Sequence, residues 1–336
     1  MKILIVTEAW DPQINGVVRT LKMTTRLLSE SGHEVRILTP YEFFNIPCPT
    51  YPEIRLTLTL VSNVRKRIDE FKPDILHIAT EGPLGWAARK VAIARGWPFS
   101  TGYHSQFPEY IHMRFKFPLA ISYKALSNFH NAGVATMVPT MAMLEALRLQ
   151  GFNKLVHWSR GVNTDLFRPD GEKFQRGDAP IFLHVGRIAV EKSIEDFLKL
   201  DLPGEKWIAG EGPERKQLQK KYPNAKWFGW LNGDELAALY RSADVFVFPS
   251  RTDTFGLVMI EAMACGTPVA AYPVTGPIDV VKSGESGYLN RDLKTAVMQC
   301  LKLDRNHVAE EAKKFSWINA TKQFFAALRP IPNELK

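Results

Sequence analysis

Strand-like and helix-like segments alternate along this chain in two successive runs, and that repetition limits the possible fold more than any other property of the sequence. Lys2-Ile3-Leu4-Ile5-Val6-Thr7 is a short apolar strand. Segment 15–31 carries Val18, Leu21, Leu27 and Leu28 at helical spacing and stops at Gly32, and 35–38 reads as the next strand. Further strands are expected at 74–78, 99–102 and 133–136, with helices near 84–95, 118–130 and 140–150. Such alternation builds a parallel sheet covered on both faces. A turn-rich stretch over 160–180, with Gly161, Pro169, Gly171 and Gly177, interrupts it and reads as a linker. The pattern then restarts with strands at 181–185, 206–209, 225–228, 245–248 and 268–271, and helices near 191–200, 213–221, 233–242 and 256–265. A chain of 336 residues exceeds one usual core. Two doubly wound α/β domains are therefore expected, with ligands bound in a cleft lined by the carboxyl ends of their strands.

With 45% hydrophobic and 23% charged residues the composition is that of a soluble globular protein. No apolar stretch approaches the roughly 20 residues of a membrane span, and the first strand begins without a basic leader, so a cytoplasmic location is expected. Cys48, Cys265 and Cys300 lack the paired spacing of a zinc site or disulfide framework. Residues 1–160 hold 19 Lys and Arg against 12 Asp and Glu, a net +7, whereas 161–336 hold 24 against 23, a net +1. A basic half suits nucleic acid, an anionic membrane or an acidic substrate. The absence of zinc-finger spacing, RNA-binding aromatic motifs and long Lys/Arg blocks argues against nucleic acid. Arg65-Lys66-Arg67, Arg114, Lys116 and Lys124 accompany Phe107, Tyr110, Ile111, Phe115, Phe117 and Leu119, a mixture suited to an anionic membrane surface or to a plain solvated face.

Asp253-Thr254-Phe255-Gly256-Leu257-Val258-Met259-Ile260-Glu261 sets two carboxylates eight positions apart around a Phe-Gly step, with a helix expected to begin near Phe255. Helix N-termini attract anions, and Gly256 admits close backbone approach. Asp253 would then stand outside the helix and Glu261 about two turns inside, roughly 10 Å away, spacing that suits a hexose and a ribose. An N-capping Asp with a packed helix Glu fits the same pattern. Upstream, Gly186-Arg187 leaves a strand and Glu191-Lys192 is expected to start a helix, bringing two cations where diphosphate oxygens could sit. Gly210-Glu211-Gly212-Pro213 resembles part of a dinucleotide fingerprint, but Arg215 replaces the third glycine, which disfavours hydride transfer. It also fits a tight strand-to-helix turn. In the first half Asn15-Gly16 opens a helix, either offering the Gly16 amide to a ligand or serving as a cap. His104 ends a strand on the expected cleft rim. No Asp-x-Asp or His/Asp cluster with metal-ligand spacing occurs, so diphosphate charge is expected to meet Arg187, Lys192 and helix amides without a metal cofactor. A glycosidase pair is disfavoured, because both carboxylates lie on one short segment.

In this order and spacing, Asn15-Gly16-Val17, Tyr103-His104, Ser159-Arg160-Gly161-Val162, Gly186-Arg187 with Glu191-Lys192, Gly210-Glu211-Gly212-Pro213 and the carboxylate segment followed by Ala262-Met263-Ala264-Cys265-Gly266-Thr267-Pro268-Val269 resemble the retaining GT-B glycosyltransferases of family four. The resemblance spans essentially the whole chain. Asp253 stands where the family usually has Glu, which leaves donor selectivity open. The resemblance implies an acceptor-side Rossmann-like domain over 1–160, a donor-binding one over 161–315, and a C-terminal helix within 316–336 crossing back to the first. It implies transfer of a hexose from a GDP-mannose or UDP-glucose type of donor as co-substrate, with anomeric retention by same-face attack. Arg187 and Lys192 would hold the diphosphate with Gly186, and Thr254, Phe255, Gly256 and Leu257 would line the donor. Asp253 would bind sugar hydroxyls, Glu261 the ribose, and Gly210 and Glu211 the nucleotide. Asn15 and Gly16 would meet the diphosphate from the first domain, and His104 the transferred sugar. The charge excess points to a lipid acceptor, such as diacylglycerol or a lipid-linked intermediate, met peripherally on the inner face of the cytoplasmic membrane. A soluble transferase for a small glycoside or polysaccharide repeat, or a non-catalytic nucleotide-sugar-binding protein, are the alternatives.

Overall fold

Ile3, Leu4, Ile5 and Val6 are fully buried in β1 (Lys2–Val6), which lies inside a parallel sheet and pairs with a strand on either side. The computed structural model describes residues 1–48 and 51–336, without the side chains of 51–53. The chain divides into one unit of Met1–Ser159 with Trp317–Lys336 and a second of Arg160–Ser316.

In the first unit β1 is followed by α1 (Gly16–Glu30), β2 (Glu34–Leu38), an antiparallel pair β3 (Asn45–Cys48) and β4 (Tyr51–Thr57), then α2 (Val61–Phe71), β5 (Ile75–Ile78), α3 (Pro83–Ala94), β6 (Ser100–Gly102), α4 (Phe107–Phe115), α5 (Leu119–Asn131), β7 (Ala135–Val138), α6 (Met141–Leu149) and β8 (Leu155–His157). The six-stranded sheet runs β2-β1-β5-β6-β7-β8, all parallel. Five of these strands and helices lie outside the periodicity reading: β3, β4, α2, α4 and β8. In α2, Val64, Ile68 and Phe71 are buried at helical spacing, but the intervening Arg65-Lys66-Arg67 masks that stripe.

The second unit holds β9 (Ile181–Val185), α7 (Ile194–Leu198), β10 (Glu205–Ala209), α8 (Arg215–Lys221), β11 (Lys226–Gly229), α9 (Gly233–Ser242), β12 (Val245–Phe248), α10 (Leu257–Ala264), β13 (Val269–Ala271), α11 (Pro277–Val280), β14 (Gly287–Leu289), α12 (Leu293–Cys300) and α13 (Arg305–Ala312). Its parallel order is β11-β10-β9-β12-β13-β14. Each unit is thus a Rossmann-like sheet, as the alternation of strands and helices led us to expect. The last helix, α14 (Trp317–Ala327), returns to the first unit, where Ala320 and Phe324 join Ile3, Ile5, Leu21 and Leu28 in one core. Among the described residues no helix is long and apolar enough to cross a membrane.

Strand order fixes where ligands can sit. In the second unit the chain runs outward from β9 to β11, then returns beside β9 as β12, so β9 and β12 flank the point where winding reverses. Their loops leave in opposite directions and open a crevice at the carboxyl ends. In the first unit β1 and β5 stand in the same relation.

Candidate functional site

The loops leaving β9 and β12 carry Gly186, Arg187, Lys192 and Asp253–Gly256 of the sequence-marked residues. Gly186-Arg187 follows β9 directly, and Val190–Lys192 is a 3-10 turn. Lys192 therefore does not open a helix as expected: Ser193 adopts φ 49° and α7 begins only at Ile194. The β12 loop is tied to this turn by Ser250 Oγ and Thr252 Oγ1, which donate to Glu191 O at 3.4 and 3.2 Å. Across that seam Lys192 Nζ donates to Asp253 Oδ1 at 2.6 Å, with side chains only 20% and 16% exposed. Beneath them His184 Nδ1 donates to Val247 O at 3.1 Å. Burial, reinforced by the Lys192 charge and opposed by that bond and by Asp253, pushes the imidazole down to about 4, so it is neutral near pH 7.

The carboxylate segment departs from its expected geometry. α10 begins at Leu257, two residues after Phe255, so Glu261 lies little more than one turn inside it. The N-cap is Gly256, at φ 86°, and Asp253 is not a capping residue. The left-handed conformation favours glycine at 256, where a Cβ would also stand 2.8 Å from Met259 Cε and 3.0 Å from the Phe248 ring. No side chain caps α10; Met259 N donates to Gly256 O at 3.0 Å, and among the described residues the amides of Leu257 and Val258 are left to a ligand or water. Glu261 is buried and accepts from the Tyr240 hydroxyl at 3.1 Å. Phe255 is buried edge-on against Phe315, with ring centroids 5.8 Å apart. Thr254 is buried and Leu257 half-buried.

Gly210 and Glu211 serve a visible structural purpose. Gly210 N donates to Gly229 O at 2.5 Å, and a Cβ there would lie 1.8 Å from Gly186 O. Ile188 N donates to Glu211 O at 2.9 Å, while the Glu211 carboxylate is paired with Arg215. These glycines let the loops after β9, β10 and β11 pack backbone against backbone.

In the first unit Asn15 caps α1, its Oδ1 accepting from the amides of Val17 and Val18 at 3.0 Å each, and Gly16 is the first helical residue. His104 follows β6 and meets Trp158 edge-on at 5.5 Å. A Cβ at Gly102 would stand 2.6 Å from its Nε2, so Gly102 makes room for the ring. Two of the buried polar residues that escaped the sequence reading bear on the strand ends. One is His184. The other is Glu8 beyond β1, whose carboxyl burial pushes up to about 7. Both follow or interrupt an apolar strand, which is the only signal the sequence offers. Among the described residues Glu285, His307 and Glu311 bring possible metal-ligand atoms within 4.8 Å of one another. That group shares no loop with Arg187, Lys192 or Asp253, and Lys282 and Lys314 pair with its carboxylates.

Two cations, open helix amides and two carboxylates at one switch point complement a ligand that joins anionic and hydroxyl groups. Residues 170–314 match the family model for Glycosyl transferases group 1, and residues 14–166 that for Glycosyltransferase Family 4. The sulfoquinovosyl transferase SQD2 of Arabidopsis thaliana is 33% identical over 92% of this chain and 69% of its own. A GDP-mannose-dependent alpha-mannosyltransferase of Corynebacterium glutamicum is 30% identical over 86% and 76% respectively. An alpha-monoglucosyldiacylglycerol synthase of Acholeplasma laidlawii is 28% identical over 80% and 79%. Among solved structures, sucrose-phosphate synthase from Thermosynechococcus elongatus superposes with a TM-score of 0.80 over 97% of both chains at 20% identity.

Proposed function

The chain belongs to the family 4 glycosyltransferases, and on that footing we propose that it moves a hexose from a nucleotide-diphosphate sugar to a lipid hydroxyl with retention of configuration. The observation that carries the donor assignment is the Lys192–Asp253 pair at the β9/β12 switch point, formed by the loop that also holds Arg187 and the loop that leads into α10. In this reading Arg187, Lys192 and the α10 amides take the diphosphate, Asp253 takes sugar hydroxyls and Glu261 the ribose. Gly186, Gly210 and Glu211 shape the nucleotide loop, with Thr254, Phe255, Gly256 and Leu257 forming the turn into α10. Asn15, Gly16 and His104 contribute from the first unit, as the family resemblance implies. The acceptor oxygen forms the new bond to the anomeric carbon as the bond to the leaving phosphate oxygen breaks, and its proton passes to that oxygen. Cations and helix amides stabilise the leaving diphosphate, so no metal ion is required. GDP-mannose and UDP-glucose types of donor both suit this chemistry.

A lipid acceptor at an anionic membrane surface is supported by the first unit's basic excess and by α4. Phe107, Ile111 and Phe115 recur at helical spacing and are 37%, 38% and 63% exposed, an apolar stripe turned outward. Phe117 and Ile121 extend it, with Arg114, Lys116 and Lys124 nearby in sequence. A second exposed apolar group, Phe44, Leu58 and Leu60, lines a hollow of about 480 Å³ with Lys66 and Arg67. Apolar residues set among cations suit anionic lipid. The relative from Acholeplasma laidlawii is named for a diacylglycerol product.

The test is a thermal-shift panel of UDP, GDP, ADP and their sugars, followed by transfer to diacylglycerol in anionic vesicles and NMR assignment of the product anomer. One base should stabilise the protein distinctly, and the product should keep the donor's anomeric configuration. No stabilisation by any nucleotide refutes the donor reading. Transfer to water-soluble acceptors only, without vesicle binding, moves the protein to the soluble class.

A further inference from the structure

The carboxyl ends of β1 and β5 flank the switch point of the first unit, where an open parallel sheet ordinarily seats an anion at a helix N-terminus. Here the chain fills that seat with its own carboxyl group. Glu8, two residues past β1 and 4% exposed, accepts through Oε1 from the amides of Leu84 and Gly85 at 2.6 and 3.2 Å, in the first turn of α3. The α3 N-cap, Gly82, has no side chain for that task. A Cβ at 82 would stand 2.5 Å from the Glu8 carboxyl, so the glycine leaves room for it. Glu8 Oε2 accepts from the Thr80 hydroxyl, whose oxygen in turn accepts from Glu8 N at 2.8 Å. Burial pushes this carboxyl up to about 7 despite its donors, so the fold retains a buried acid that is unfavourable when charged.

The same residue steers the loop into α1. Gln13, 3% exposed, donates through Nε2 to Glu8 O at 2.6 Å. Asn15 Nδ2 donates to Gln13 Oε1 at 3.2 Å, and Asn15 Oδ1 accepts from Val17 and Val18. An unbroken series of hydrogen bonds therefore runs from the first turn of α3 to the first turn of α1. With the amides of Val17 and Val18 engaged, that of Gly16 is left to a ligand among the described residues.

We propose that Glu8 and Gln13 are positioning residues for the donor: Glu8 occupies the anion seat of the first unit and, through Gln13 and Asn15, fixes the turn that presents the Gly16 amide. This rests on the proposed assignment of Gly16 to the donor diphosphate. It gives the two switch points different jobs, one internally filled and the other left for substrate.

Gln13→Ala cuts the series but leaves the carboxyl on α3. Glu8→Ala removes the anchor, and Glu8→Gln keeps an acceptor for Leu84 and Gly85. The experiment measures donor KM and kcat on the full chain, with hydrogen exchange resolved over residues 8–20 and 80–90. Gln13→Ala should raise donor KM about tenfold and speed exchange at 15–20, with 80–90 as in the parent. Glu8→Ala should speed exchange in both segments and raise KM similarly, and Glu8→Gln should restore both readouts. Parent-like KM or parent-like exchange at 15–20 in Gln13→Ala overturns the proposal and reduces Glu8 to a cap for α3. Failure of the donor reading looks different, because the parent would then bind no nucleotide sugar and Lys192→Ala would change nothing.

Discussion

The ion pair between Lys192 and Asp253 makes opposite predictions for its two halves. At an effective dielectric of about 20, unit charges about 4 Å apart attract by roughly 4 kcal/mol, and rehydration offsets most of that when a pair is opened. Both side chains keep a fifth or less of their surface exposed, at an N–O distance of 2.6 Å. A net restraint of about 0.5–1.5 kcal/mol on Lys192 is therefore expected. A diphosphate must compete with Asp253 for the ammonium. Asp253→Asn removes the competitor and should tighten binding of the free nucleoside diphosphate about two- to tenfold. The same change removes a charged partner for sugar hydroxyls, so kcat/KM for the full donor should fall roughly 100-fold, about 2.7 kcal/mol. Lys192→Ala loses a charged hydrogen bond to phosphate, about 1.5–3 kcal/mol, and should weaken the nucleoside diphosphate about 10- to 150-fold. Isothermal titration calorimetry with UDP and GDP, paired with initial rates, measures both quantities. If Asp253→Asn weakens nucleoside diphosphate binding as much as Lys192→Ala does, the pair is a structural clamp and the competition argument is refuted.

Glu261→Ala should weaken UDP or GDP about tenfold or more while leaving pyrophosphate binding unchanged, because its assigned partner is the ribose; calorimetry with both ligands checks this, and equal losses would remove the assignment. Tyr240→Phe, which deletes the 3.1 Å donor to that carboxylate, should destabilise the second unit by about 1.5 kcal/mol in urea unfolding followed by its tryptophans. Glu8 has a folded pKa of about 7 against an ordinary 4.5, so its favourable contribution is complete below about 4.5 and is lost as pH rises through 7. Glu8→Gln does not titrate and should gain about 3 kcal/mol on the parent between pH 4.5 and 8 in unfolding of the first unit; a pH-independent difference would contradict the burial. Replacing Phe107, Ile111 and Phe115 together by Ser should abolish sedimentation with anionic vesicles while leaving UDP or GDP affinity as in the parent.

Much of the architecture was legible because it is locally encoded. Val18 and Leu21 at helical spacing, and the apolar runs of β1, β9 and β12, announce their elements without long-range information. The glycines at 186, 210 and 256 mark the loops as well, since only a close approach or a positive φ explains them there. The helix start was misplaced because Gly256 takes a left-handed conformation, φ 86°, that the residue letters alone do not announce, and α10 begins only after it. α4 was missed because its apolar stripe faces outward, so the usual rule that periodic apolar residues mark a core has no purchase.

By itself, then, the sequence determined two Rossmann-like units and the family, because both are written in short-range periodicity and motif order. Only the tertiary structure decided who pairs with whom. It joins Lys192 to Asp253 across 61 residues and Glu8 to Leu84 across 76. It also buries His184 as a neutral ring beneath the first of these pairs. The physical reason is that burial and electrostatic partnership depend on strand order in the sheet, which brings together loops that no local pattern connects.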